Sequence, residues 1–262
     1  MKGHITIEDH VDNFTLVKIK YEQFVFPGGE VQVRILAERI KRPIITANIL
    51  DSEDLMTLLL LSNALDKYKP INKKLILEYI PYSRQDRVCY KGEAFSLEVF
   101  AQLINSMNFN EVRLTDPHSN VAELLINNAA VTPINLILGT VTPDLVVCPD
   151  QGAIKRTEQF CYINDLPYIQ ALKVRDPKTG NILRTEVLGD VENKTVLIVD
   201  DICDGGRTFI ELAKVLYEKK AKEVNLQVTH GLFSKTKTPL YEAKIRNINA
   251  FYDYSEKINV TT

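Results

Sequence analysis

The chain has 262 residues, room for one large domain or two small ones, and its 45% hydrophobic and 25% charged content is that of an ordinary soluble globular protein. A net charge of -2 gives no sign of a nucleic-acid or membrane-surface partner. No run approaches the roughly 20 apolar residues of a membrane span, "MKGHITIEDH" is too acidic and polar for a signal peptide, and Cys89, Cys148, Cys161 and Cys203 are scattered without a CxxC pair, which together point to a cytoplasmic protein with reduced thiols.

Helical spacing first appears in "SEDLMTLLLLSNALDKY" (52–68). Ser52, Glu53 and Asp54 suit its start, because oxygen-bearing and acidic side chains satisfy the free amides there. A buried strand follows in "LILEYI" (75–80), a helix in "SLEVFAQLINSM" (96–107) and a strand in "EVRLTD" (111–116). "GTVTPD" (139–144), with Gly139 and Pro143, reads as a crossover into a second series. That series has strands at "DLVVCPD" (144–150), "TVLIVDD" (195–201) and "EVNLQVTH" (223–230), a polar loop at "RDPKTGNI" (175–182) and a helix at "TFIELAKVLYEKK" (208–220). Short apolar strands alternating with amphipathic helices predict an α/β chain of parallel sheets with helices on both faces. The doubled pattern predicts two similar domains, 1–140 and 141–262.

The most pointed segment is "VDDICDGGRT" from Val199. An apolar strand ends on Asp200 and Asp201, then Asp204, Gly205, Gly206, Arg207 and Thr208 follow before a helix. Adjacent carboxylates repel and need a cation, a hydroxyl-rich guest or water. Glycines let backbone amides approach a phosphate, and the helix turns its positive end toward it. In open parallel sheets such ligands sit beyond the carboxyl ends of the strands. The acids suit ribose hydroxyls, held directly or through hydrated magnesium. An acidic turn capping a helix is the plainer alternative.

This segment resembles the phosphoribosyl pyrophosphate loop of type I phosphoribosyltransferases and of ribose-phosphate pyrophosphokinases. "FPGGEVQVRI" (26–35), "PYSRQDR" (81–87), "DPHS" (116–119), "CPDQGAIKR" (148–156), "ALKVRD" (171–176) and "THGLFS" (229–234) come in the order of the second family, the phosphoribosyl pyrophosphate synthetases, and span most of the chain. The resemblance implies two phosphoribosyltransferase-like domains, the first carrying ATP-side motifs and the second the sugar-phosphate loop. It implies transfer of the β,γ-pyrophosphoryl group of ATP to the anomeric hydroxyl of ribose 5-phosphate, releasing AMP. The transition state spreads negative charge over phosphoryl oxygens, so catalysis is mainly positioning plus cations.

By the same resemblance Lys173 and Arg175 are the catalytic cations, with Arg184 ranked low. His118 and Asp150 hold the magnesium that bridges the ATP phosphates, and Asp201 a second metal with the ribose. Phe26, Glu30, Arg84 and Gln85 contact ATP. Asp200, Asp201, Asp204, Gly205, Gly206, Arg207 and Thr208 hold the ribose phosphate. The family's first hairpin-like loop serves a neighbouring subunit, which implies a functional homo-oligomer. His4, His10 and His230 receive no such role, and His230 reads as structural.

Two departures stand out. Gly28 replaces the acid of the family's "FPDGE", and "DGGRT" (204–208) replaces its "DTAGT". Two glycines remove bulk from the turn and Arg207 adds a bidentate partner for phosphate oxygens. A roomier, more cationic turn suits an acceptor whose 5′ end is a diphosphate. ADP-ribose is one, and its pyrophosphorylation would be a step toward rebuilding NAD from nicotinamide. The other reading, in which Arg207 faces solvent or clamps a monophosphate, stays open. A phosphoribosyltransferase fits less well because the ATP-side motifs are retained, and a non-catalytic regulatory paralogue because Lys173, Arg175, His118 and Asp150 are all present.

Overall fold

The computed structural model describes residues 4–12, 15–132, 141–175 and 182–258, with the side chains of 173–175, 182–184 and 257–258 outside that description. The chain divides into two compact units, Met1–Pro133 and Ile134–Thr262, so the division falls ahead of the expected crossover at 139–144.

The first unit runs β1 (His4–His10), β2 (Leu16–Val25), β3 (Val31–Leu36), β4 (Pro43–Asn48), α1 (Ser52–Asp66), β5 (Lys74–Tyr79), α2 (Ser96–Ser106), β6 (Glu111–Thr115), α3 (Asn120–Leu125) and β7 (Ala129–Thr132). Its sheet has the order β3-β2-β1-β4-β5-β6-β7. The β4–β7 part is parallel, as the alternation of strands and helices predicts. The β1–β3 part is antiparallel, and β1 also meets β4 antiparallel. The sequence reading did not include β1–β3. A ten-residue β2 that buries only Ile19 offers no continuous apolar run to find. α1 is capped by Asp51, one residue before the expected start, in a reciprocal box with Asp54. The core gathers Ile7, Ile45, Leu61, Leu75, Leu77 and Phe100 under the helices.

The second unit runs β8 (Leu145–Cys148), a 3-10 turn at Gln151–Ala153, α4 (Ile154–Asn164), β9 (Tyr168–Arg175), β10 (Ile182–Leu188), β11 (Thr195–Cys203), α5 (Arg207–Glu218), β12 (Glu223–Gly231), α6 (Thr238–Glu242), β13 (Ile245–Asp253) and α7 (Ser255–Ile258). Its sheet has the order β10-β9-β8-β11-β12-β13, parallel throughout except for the β9–β10 pair. β11 is apolar on both faces because helices cover both. Val196 and Ile198 pack with Phe209, Leu212 and Leu216 of α5, while Leu197 and Val199 pack with Phe160 and Cys161 of α4. The four cysteines are free thiols and only Cys89 is exposed.

Candidate functional site

The chain leaves β8 through α4 to reach β9 on one side of it, then returns to place β11 on the other. The strand order therefore reverses between β8 and β11, and in open α/β sheets the crevice beyond such a reversal is where ligands bind. Asp150 lies just past the end of β8, Lys173 and Arg175 close β9, and Asp200 and Asp201 lie in the last turn of chain along β11. All three strands are parallel, so these residues share the carboxyl edge of one sheet.

Asp200 and Asp201 do not face each other alone. Arg156, from the first turns of α4, brings its guanidinium to 3.5 Å from Asp200 and 3.8 Å from Asp201, with its side chain only 9% exposed. The Asp201 amide also donates to the Asp200 carboxylate at 2.9 Å. Burial, then the Asp201 charge, push the Asp200 carboxyl well above the ordinary carboxylate range, and Arg156 pulls it back. The cation that two adjacent acids require is thus built into the fold. Arg156 sits in the quoted "CPDQGAIKR", but sequence spacing does not reveal which acid a helical arginine meets.

Past β11 the chain turns through Gly205 and Gly206. Gly206 has φ of 74° and precedes α5, whose first amides receive no side-chain cap. A Cβ at Gly206 would stand 2.8 Å from a Leu240 methyl, so the turn needs glycine for both its dihedral and its space. Gly206→Ala should lower the unfolding free energy by more than the ~1–2 kcal/mol of a left-handed alanine, read as a lower denaturant midpoint at unchanged slope. Parental stability would mean that the turn relaxes freely.

The loop after β12 is tied onto this turn. The Leu232 and Phe233 amides donate to the Cys203 carbonyl at 2.8 and 3.1 Å, and the Ser234 hydroxyl donates to the Asp204 carboxylate. Asp204 is therefore engaged with a neighbouring loop, unlike the pair beside Arg156. The stem of Lys235 lies against Gly205, with Cδ 3.6 Å from where a Cβ would be. Arg207 goes elsewhere: its side chain is 89% exposed and its Nε pairs with Glu211, one turn along α5, at 2.8 Å. Thr208 is half-buried at the second position of that helix.

In the first unit, Phe26 and Glu30 close the β2–β3 hairpin. The Phe26 amide donates to the Glu30 carbonyl at 2.8 Å, and Phe26 stands edge-on to Phe24 with ring centroids 5.4 Å apart. A Cβ at Gly28 would stand 3.0 Å from the Glu30 carboxylate, so a side chain there would require Glu30 to shift. Arg84 and Gln85 are exposed beyond the end of β5, and His118 is exposed beyond β6, one residue before the α3 cap Ser119. His230, given no chemical role, is buried on β12 and stacked on Tyr252 at 5.8 Å. Residues 176–181 of the polar loop lie outside the described residues, but its flanks Arg175 and Ile182 are paired at the loop end of the β9–β10 ladder.

For magnesium, the second unit has hard oxygen donors at adjacent strand ends. Asp150 uses one carboxylate oxygen to cap Gly152 at 3.0 Å, and its charge is felt at Asp200. No group of three or more His, Cys, Asp or Glu side chains converges among the described residues. Magnesium keeps several waters and needs only one or two carboxylates, so the donor set fits.

Residues 126–257 match the family model for the phosphoribosyl transferase domain. Among curated proteins, the chain is 32% identical to the ribose-phosphate pyrophosphokinase of Pyrococcus abyssi (strain GE5 / Orsay) over 220 residues, covering 80% of this chain and 75% of that one. It is 30% identical to the enzyme of the same name from Thermococcus kodakarensis over 238 residues, covering 87% and 83%. Among solved structures, the phosphoribosylpyrophosphate synthetase from Mycobacterium smegmatis superposes with a TM-score of 0.76 at 22% identity, over 92% of this chain and 83% of that one, a likeness of fold.

Proposed function

The chain belongs to the ribose-phosphate pyrophosphokinase family, and from that premise we propose that it moves the β,γ-pyrophosphoryl group of ATP to the anomeric hydroxyl of a ribose 5-phosphate moiety, releasing AMP. The observation that carries this reading is the carboxyl edge of the second sheet. There Asp200 and Asp201 meet Arg156 beside a glycine turn that opens an uncapped helix.

In this reading the second unit binds the acceptor. Asp200 and Asp201 accept hydrogen bonds from the ribose hydroxyls, and the Gly205–Thr208 turn donates amides to the 5′-phosphate. The acids and the phosphate hold opposite ends of the sugar, so their charges do not collide. Lys173 and Arg175 meet the charge that develops on the transferred group. The first unit supplies the ATP contacts, with Phe26 stacking on the base, Glu30 bonding to it, and Arg84 and Gln85 reaching base or phosphate. His118 and Asp150 would serve the magnesium of the ATP phosphates and Asp201 a second metal with the ribose, and magnesium there would neutralise phosphate charge. A homo-oligomer in which the β2–β3 hairpin serves a neighbouring subunit belongs to the same proposal.

A second acceptor, ADP-ribose, fits the same turn. The specific observation is that the stem of a lysine, Lys235, borders the space above Gly205, and a cation there suits a 5′ end bearing two phosphoryl groups. Incubation with ATP, magnesium and each acceptor should release AMP, and His118→Ala and Asp150→Ala should each raise the magnesium concentration needed. No AMP with either acceptor would sink the pyrophosphokinase reading, and unchanged magnesium dependence would leave those two residues structural.

A further inference from the structure

We propose that Lys235 is a specificity-determining residue of the acceptor site, binding the phosphoryl group beyond the 5′-phosphate of a ribose that carries a diphosphate. The inference rests on reading the carboxyl edge of the second sheet as the acceptor site, and it assigns the added cation to a residue outside the sugar-phosphate loop itself.

Three observations converge on Lys235. Its position is set from below: Leu232 and Phe233 are bonded to Cys203, and the preceding Ser234 to Asp204, so the loop that carries it is fastened to the turn that would hold the 5′-phosphate. Its stem is placed by packing, with Cγ, Cδ and Cε all 3.6–3.9 Å from the open side of Gly205. Contact between a methylene stem and a glycine backbone keeps the ammonium beside the turn while leaving it in water.

The third observation is what the other cations are doing. Lys237 is 2.5 Å from Asp253 and sits 4.6 Å above the Phe233 ring, so it braces the loop. Arg207 is paired with Glu211. It also opens a helix, where a cation opposes the positive end of the dipole, and that favours keeping it out along the helix surface. Among the described residues no acid lies within ion-pair distance of Lys235. An exposed ammonium without a carboxylate partner has no ion pair to break when it turns to a phosphate oxygen. A 5′-monophosphate is already served by the turn amides and the α5 terminus. The next phosphoryl group along a diphosphate lies beyond those amides, and among the described side chains Lys235 is a cation beside the turn that is not in an ion pair.

The test compares kcat/KM for ribose 5-phosphate and ADP-ribose in the parent, Lys235→Met, which keeps the stem, and Lys235→Arg, which keeps the charge. A charge-assisted hydrogen bond corresponds to about a 10- to 100-fold effect. Lys235→Met should lose about that much with ADP-ribose, change about threefold or less with ribose 5-phosphate, and leave the KM for ATP in place; Lys235→Arg should restore most of the loss. Equal losses on both acceptors, no loss on either, or a loss carried by Arg207→Ala instead would overturn the proposal. So would ADP-ribose being inert while ribose 5-phosphate reacts, an outcome that leaves the pyrophosphokinase reading standing. If neither acceptor releases AMP, that reading itself fails, and calorimetric binding of ADP-ribose decides about Lys235: weaker binding to Lys235→Met supports it, and equal binding overturns it.

Discussion

Lys173→Ala and Arg175→Ala should each lower kcat by about 10²–10³, the usual consequence of removing one oriented donor from a transition state, while the KM for ATP moves by only a few-fold. The expectation follows from where β9 ends. β9 runs parallel to β8, and its last residues reach the same edge as Asp150, Asp200 and Asp201. Lys173 pairs with Thr185, and Arg175 with Ile182, at the end of the β9–β10 ladder next to residues 176–181. A hairpin hung on the sheet edge can bring two cations to a site that is already defined by rigid strands. Cations that engage charge only as it develops affect turnover and not ground-state binding. Because they act on one transition state, the double variant should lose much less than the product of the two single losses. Single-turnover rates of AMP release separate chemistry from product departure. Near-parental turnover in both variants would refute the assignment.

The parts of this architecture that were legible in the sequence are those whose signal is local. β11 was readable because a continuous apolar run bounded by carboxylates has one simple fate, a buried strand. α5 was readable because Phe209, Leu212, Ala213 and Leu216 follow helical spacing onto one buried face. The antiparallel β1–β3 segment was not, since Phe24, Val25, Leu16 and Val17 are apolar yet exposed and blur the alternation. Past β11 the acids and glycines stand out in the sequence, whereas the side chains that approach them from elsewhere in the fold do not. Arg156 and Lys235 reach the loop by tertiary packing, from 44 residues before Asp200 and 30 residues after Gly205. Arg207 shows the converse. Its pairing with Glu211 is a local i,i+4 contact that the spacing of the two residues on a helix already offers.

Arg156→Met should destabilise the second unit by about 3–5 kcal/mol, the cost of stripping the counter-charge from a buried ion pair. Methionine retains much of the arginine stem, so lost packing is a minor part of the effect. The larger part is electrostatic: Asp200 and Asp201 would remain adjacent, shielded from water and without their cation. This gives the variant a pH signature. The Asp200 carboxyl is already held above its unfolded value with Arg156 present, and losing the arginine raises it further. Between the unfolded and folded pKa the native state then binds more protons than the unfolded chain, so stability rises as pH falls through the folded pKa and levels off below the unfolded one. The deficit of Arg156→Met relative to the parent should therefore be greatest where Asp200 is ionised in both proteins, above its raised folded pKa, and shrink as pH falls through that pKa. Asp200→Asn in the Arg156→Met background should recover part of the loss, although the same change in the parent removes a partner from Arg156. Chemical denaturation of the four proteins at a series of pH values from acid to alkaline closes this double-mutant cycle. A coupling energy near zero, or a deficit that stays constant with pH, would show that Arg156 only fills space and that the acid pair is stabilised by something other than its guanidinium.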